Sequence, residues 1–155
     1  MKIIKPPHPI HINPDKTHSV FLAGSIEMGT AEDWQTMVSN TFKDQPITFY
    51  NPRREEWDSS WTQEITNPQF YQQVNWELNA LEAADLIIMY FDSNTKSPIS
   101  LLELGLYASS GKLVVCCPHG FWRKGNVDIV CDRYSIPNFD NLPSMLTFVN
   151  NYFDF

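Results

Sequence analysis

Two glutamates have the setting that carboxylate chemistry requires. Glu103 lies in Ser97-Pro98-Ile99-Ser100-Leu101-Leu102-Glu103-Leu104-Gly105-Leu106-Tyr107-Ala108, a run that is apolar almost throughout after its serines. A carboxylate there must sit on a packed helix close to its N-terminus. Burying an unpaired charge is costly, so such a group is paired, neutralised or functional. Glu77 lies three residues after Val74 and four before Leu81, on the border of the same helical face. Two carboxylates in unlike surroundings, facing one cleft, can serve as nucleophile and acid. A helix N-terminus attracts negative charge and can keep Glu103 ionised despite its apolar neighbours. Spacing alone leaves a second role equally open, in which Glu103 pairs with a lysine or caps a backbone group.

The elements around these acids alternate. Residues 19–23, Ser-Val-Phe-Leu-Ala, form a first strand ending at Gly24-Ser25-Ile26-Glu27. Thr30 can cap a helix over 31–42, with Trp34, Met37, Val38 and Phe42 inward. Ile47-Thr48-Phe49-Tyr50 is a second strand. It ends in a polar loop, residues 51–57, that holds Arg53, Arg54 and Trp57. Asn67-Pro68 starts a helix, with an N-cap residue and then proline at the first helical position. Phe70, Val74, Leu78 and Leu81 are its expected inward face. A buried strand at 86–91 follows, then a loop whose Ser97-Pro98 starts the Glu103 helix. Residues 112–117 are a further strand, 126–131 read as either helix or strand, and 141–152 form a last helix. The N-terminal segment, 1–17, is a short strand at most. His8 and His11 within it fit a surface segment better than a metal site.

Strands alternating with helices imply an α/β fold, a doubly wound and mostly parallel sheet (Rossmann/flavodoxin-like) with helices on both faces. With no repeat and no linker, residues 1–155 read as a single domain. The polar loops then gather at the carboxyl edge of the sheet, where ligands bind in such folds. Gly24-Ser25-Ile26 can hold an oxygen-rich group there, although Glu27 beside it would oppose a pyrophosphate. Arg53 is nearer its strand end than Arg54 and is the better site residue. The alternative is that the arginines pair with Glu55, Glu56 and Asp58 at the surface. Trp57 can wall a flat ring or simply pack.

Composition narrows the ligand class. The 155 residues are 43% hydrophobic and 19% charged, with a net charge of −7. An acidic chain with pI near 4.9 lacks the clustered Lys and Arg of a nucleic-acid surface. No stretch is long enough to span a bilayer. Cys116, Cys117 and Cys131 are odd in number, include no CxxC, and read as free thiols of a cytoplasmic protein. The sequence calls for neither a metal nor a cofactor.

Three stretches together resemble the nucleoside 2-deoxyribosyltransferase superfamily: Trp76-Glu77-Leu78, Ala84-Asp85-Leu86-Ile87, and Leu102-Glu103-Leu104-Gly105 with Tyr107-Ala108 and Gly111-Lys112. Phe21-Leu22-Ala23-Gly24-Ser25-Ile26 is similar to its first-strand motif, and the resemblance spans roughly residues 19–130. It implies a double displacement on a 2′-deoxynucleoside, with a free nucleobase as second substrate. Glu103 matches the nucleophile, and Glu77 stands where an aspartate assists base protonation. Asp85 joins the implied substrate-binding residues, with Gly24, Ser25, Ile26, Arg53, Trp57 and Ser97. Asn126 matches an asparagine that reaches into a neighbouring subunit's site, which implies a homo-oligomer. The aromatic tail Tyr152-Phe153-Asp154-Phe155 could bury apolar area at such an interface. Two positions depart from the pattern. Phe21 replaces a tyrosine that positions the nucleophile, leaving Tyr107 or Tyr90 as candidates. Ser97 replaces an aspartate, and in related deoxynucleotide N-glycosidases a serine there contacts a 5′-phosphate. Those enzymes carry an arginine where this chain has Glu27. A 5′-monophosphate hydrolase is thus the second reading, and a non-catalytic sensor of a nucleotide derivative the third.

Overall fold

The computed structural model describes residues 1–10, 17–27, 31–55 and 58–155. Thr30, Trp57, Glu56 and His11 lie outside them. The described elements run β1 (Lys2–Ile4), β2 (His18–Gly24), α1 (Trp34–Thr41), β3 (Ile47–Tyr50), α2 (Pro68–Ala83), β4 (Leu86–Tyr90), α3 (Pro98–Tyr107), β5 (Leu113–Cys116), α4 (Lys124–Arg133), β6 (Asn138–Phe139) and α5 (Leu142–Tyr152). The strands form one sheet in the order β1-β3-β2-β4-β5-β6, and every pairing is parallel. Without β1, this is the flavodoxin strand order, whose direction reverses between β2 and β4.

Period-two alternation explains both layers. Phe21, Ala23, Ile87, Met89, Val115 and Cys117 face the core shared with α2, α3 and α4. Val20, Leu22, Leu86, Ile88, Val114 and Cys116 face the core shared with α1 and α5. Central strands of a parallel sheet need apolar residues on both faces, and the buried run Leu86-Ile87-Ile88-Met89 supplies them. The adjacent Cys116 and Cys117 fall on opposite faces, and all three thiols are free and buried.

Several expectations shift by a turn or less. Asp33 caps α1, accepting from the Thr36 N–H at 3.2 Å, so the helix starts later than position 31. Its inward face holds Trp34, Gln35, Val38 and Ser39, while Met37 is exposed. Asn67 caps α2 as expected. That helix buries Gln73, Trp76, Ala80 and Leu81, and Leu78 is 39% exposed. The true stripe is rotated toward Glu77, because Trp76 anchors it by donating its indole N–H to the His8 carbonyl at 2.7 Å. The segment 126–131 resolves as helix within α4. The two-residue β6 carries too little pattern to be read from sequence.

Candidate functional site

The switch point between β2 and β4 is closed by a backbone contact that only glycine permits. Gly24 has φ +129, and a Cβ there would stand 2.1 Å from the Tyr90 carbonyl oxygen. Immediately beyond, the Ser25 N–H donates to that same carbonyl at 2.9 Å. Ser25 is fully buried, and its hydroxyl accepts from the Asp92 N–H at 2.8 Å. It lies 2.9 Å from the Thr95 hydroxyl and 2.6 Å from that of Ser97, which are themselves 2.8 Å apart. Thr95 in turn donates to the Asp92 carbonyl at 2.9 Å. The loops after β2 and β4 are thus joined by a cluster of hydroxyls. Ser97 stands at the N-cap position of α3 but makes no side-chain cap, because its φ of 46 and the cluster turn its hydroxyl elsewhere.

Glu103 and Glu77 meet on the α2–α3 side of this edge. Glu103 is 9% exposed, and among the described residues nothing donates to its carboxylate. Burial, and then the nearby charge of Glu77, push it up to about 8. Burial likewise raises Glu77 to about 7, opposed by the Gln73 amide, which donates to it at 2.7 Å. Burial thus works against the ionised form of Glu103 that its place near the helix N-terminus would favour. Glu103 is the sixth residue of α3, and helix-end electrostatics fade within the first turn, so desolvation decides.

Gln73 was not evident as a site residue, although its position one helical turn before Glu77 was a signal. Its amide also donates to the Pro52 carbonyl at 3.1 Å, tying the loop after β3 to Glu77. Asp92, buried at the end of β4, was passed over too. It accepts from the Asn94 N–H at 2.8 Å and the Glu32 N–H at 3.2 Å, bracing the same edge.

The other expected residues divide. Gly24, Ser25, Ile26 and Ser97 come together with the two acids at the carboxyl edge. Arg53 also follows its strand at that edge, but it turns toward α1. There it donates to the Gln35 side chain and the Glu32 carbonyl, each at 3.3 Å, and lies 3.7 Å from Asp33. Arg54 stacks on Trp61 at 5.0 Å and reaches Gln72. Glu55 pairs instead with Lys5, and Asp58 accepts from the Ser60 N–H. Neither arginine therefore pairs with Glu55 or Asp58. Asn126 is exposed on α4. Asp85 is not at this edge. It precedes β4 at the amino end, where its carboxylate accepts from the Ser19 N–H and hydroxyl, each at 2.8 Å. It locks β2 to β4 instead of meeting a ligand.

Neither candidate replaces the missing tyrosine by a hydrogen bond. Phe21 packs near Trp76, with ring centroids 6.5 Å apart. Tyr90 faces the opposite layer, 5.5 Å from Trp34. Tyr107, one turn after Glu103, is close enough for the Glu103 charge to help raise its hydroxyl, after burial and Glu82. Among the described residues no three His, Cys, Asp or Glu side chains are grouped to hold a metal. No helix among them is long and apolar enough to cross a membrane.

Comparison with known proteins bears on the family and the fold. No curated protein matches the chain. A conserved protein from Enterococcus faecalis V583 has a similar fold, with a TM-score of 0.50 at 13% identity over 85% of this chain and 87% of that one. The family model described as nucleoside 2-deoxyribosyltransferase like matches residues 17–121, which hold the strand β2, both acids and the hydroxyl cluster. The chain belongs to the nucleoside 2-deoxyribosyltransferase-like family, whose members act on nucleosides or nucleotides.

Proposed function

We propose that the protein transfers a 2′-deoxyribosyl group between nucleobases through a covalent glycosyl-Glu103 intermediate. The observation that carries this reading is the buried Glu103 with a partly buried Glu77 near enough for its charge to act on it. The reacting form holds one proton, on Glu77. A Glu103 oxygen attacks C1′ as the glycosidic C–N bond breaks, and Glu77 gives its proton to the departing base. The second base then attacks C1′ from the vacated side. The ester bond breaks, Glu103 is released as carboxylate, and the proton of the incoming base returns to Glu77. Two inversions give net retention.

Gly24, Ser25, Ile26 and Ser97 line the sugar end, and Arg53 the approach of the base. Asn126 completes the site of a neighbouring subunit in a homo-oligomer. In support of assembly, Ile99, Leu102 and Leu106 leave one face of α3 apolar and exposed, and Ile129 is exposed on α4 near Asn126. Contiguous apolar surface of this kind marks interaction sites. Within the aromatic tail, Tyr152 stays exposed and Phe153 does not. Phe153 is buried within its own chain and stacks on His18 at 4.4 Å.

A second reading, hydrolysis of 2′-deoxynucleoside 5′-monophosphates, is favoured by the meeting of Ser25 and Ser97. One assay separates the readings. A 2′-deoxynucleoside is incubated with and without a second free base, and its 5′-monophosphate is run in parallel. A new nucleoside that forms only with the second base supports transfer. Base-independent release of free sugar, fastest from the monophosphate, would replace it with the hydrolase. Binding without turnover of any substrate leaves the sensor.

A further inference from the structure

Glu27 follows the β2 loop and reaches across to the start of α3. Its Oε1 accepts from the Lys96 N–H at 2.6 Å and from the Ser97 N–H in a still shorter contact. Consecutive backbone N–H groups ahead of a helix are a natural anion cradle. In this chain the anion is the protein's own carboxylate. Both ends of the contact have unfavourable backbone: Glu27 has φ 37 and Ser97 has φ 46. Left-handed conformations of this kind cost free energy in non-glycine residues and persist where surrounding contacts enforce them. Ordinary capping would not need them, since the Ser97 hydroxyl could cap α3 itself. That hydroxyl instead belongs to the Ser25–Thr95–Ser97 cluster. With the Thr95 proton given to the Asp92 carbonyl, two protons serve the three hydroxyl contacts. The remaining hydroxyl protons lie within the cluster's own contacts. Among the described residues Glu27 forms no ion pair, and the Lys96 ammonium lies over the Trp122 ring at 4.6 Å.

We propose that Glu27 sets substrate class, excluding donors phosphorylated at the 5′ position by occupying the cradle their phosphate would need. The proposal rests on the reading of Glu103 as the group that attacks C1′. From Ser97 to Glu103 the helix rises about 9 Å, and side chains tilt toward the helix N-terminus. A furanose with C1′ at Glu103 and C5′ directed along α3 therefore brings its 5′ substituent to the Lys96 and Ser97 N–H groups. A 5′-hydroxyl can donate to the seated Glu27 carboxylate. A phosphate has no proton-rich partner there and meets a like charge.

Glu27→Gly tests this, and it suits the fold because glycine accepts a positive φ without strain. Glu27→Asn is the second variant, being tolerant of left-handed backbone, shorter and uncharged. The measurements are kcat/KM for a 2′-deoxynucleoside and for its 5′-monophosphate, and the thermal stabilisation produced by inorganic phosphate alone. In the variants, the monophosphate-to-nucleoside ratio is expected to rise about tenfold or more, corresponding to about 1.4 kcal/mol. Phosphate should raise their Tm but not that of the wild type. A lower Tm with no gain in phosphate response, in both variants, would show that Glu27 is only a cap and overturn the proposal. So would a wild type that uses the monophosphate as readily as the nucleoside. A variant that gains phosphate binding while the wild type acts on no nucleoside would leave the cradle assignment standing and remove the transferase reading instead.

Discussion

Glu103 and Glu77 are the residues on which pH acts. Both have folded-state pKa values raised above the ordinary carboxylate, to about 8 and about 7. The unfolded chain ionises both near the usual value, so folding favours their protonated forms. The stability this represents is complete at acid pH below the unfolded value and is lost as pH rises through about 7 to 8. Glu103→Gln removes the larger shift. It is expected to stabilise the protein at pH 9 by about a few kcal/mol relative to wild type, with little change near pH 4, measured as the difference in Tm at the two pH values. The same variant should lose base exchange by several orders of magnitude. Higher stability with lost turnover is the signature of a group buried for chemistry, and turnover within about tenfold of wild type would refute the assignment. For the wild type, kcat/KM should be bell-shaped, with limbs near the two values, read as properties of the pair. One proton must leave to free the nucleophile, and the rate falls when the second leaves the acid. Glu77→Gln should abolish the alkaline fall and leave a single rising limb for Glu103, below the value of about 8 that the Glu77 charge helps set.

At the scale of elements, the site depends on the junction between β2 and β4. Gly24→Ala places a methyl 2.1 Å from the Tyr90 carbonyl oxygen in a backbone conformation that alanine rarely adopts. The strands must separate at the switch point, and a loss of more than about 3 kcal/mol is expected, measured by denaturant unfolding. An unaltered midpoint would mean that β2 ends differently. Asn67 and Pro68 announce α2 correctly, since capping needs only neighbours in sequence. The rotation of its buried face was not evident, because Trp76 is anchored by His8, which is 68 residues away. The α3 start shows the same division. Ser97-Pro98 marks the boundary, but the Ser97 hydroxyl is claimed by Ser25 from another loop.

For the molecule as a whole, the proposal of shared sites can be tested by mixing. Inactive Glu103→Gln and inactive Asn126→Ala proteins, allowed to exchange subunits, should recover a fraction of wild-type exchange activity, since some assemblies would contain one site with both residues intact. Full subunit exchange without recovery, or a monomer at assay concentration by light scattering, would rule out sharing. The apolar exposed face of α3 predicts in addition that Leu102→Glu lowers the association state.

The sequence by itself determined most of the strands and helices, leaving 126–131 open and β6 unread, and the layering of apolar residues on two faces of a parallel sheet; it also predicted that Gly24, Ser25, Ser97 and the two acids belong to one edge. These follow from hydrophobic periodicity, local capping and the direction rules of α/β folds, all of which act over short stretches or through topology. Tertiary structure decided what depends on distant neighbours. It placed Asp85 on Ser19 at the amino edge, turned Arg53 toward α1, and directed Tyr90 to the layer away from Glu103. It folded the aromatic tail onto its own chain and set the Glu27 carboxylate against the start of α3. Burial raised both glutamates against the expectation from helix position. Desolvation and side-chain pairing depend on what surrounds a group in space, and only the assembled sheet and its two helix layers supply those surroundings.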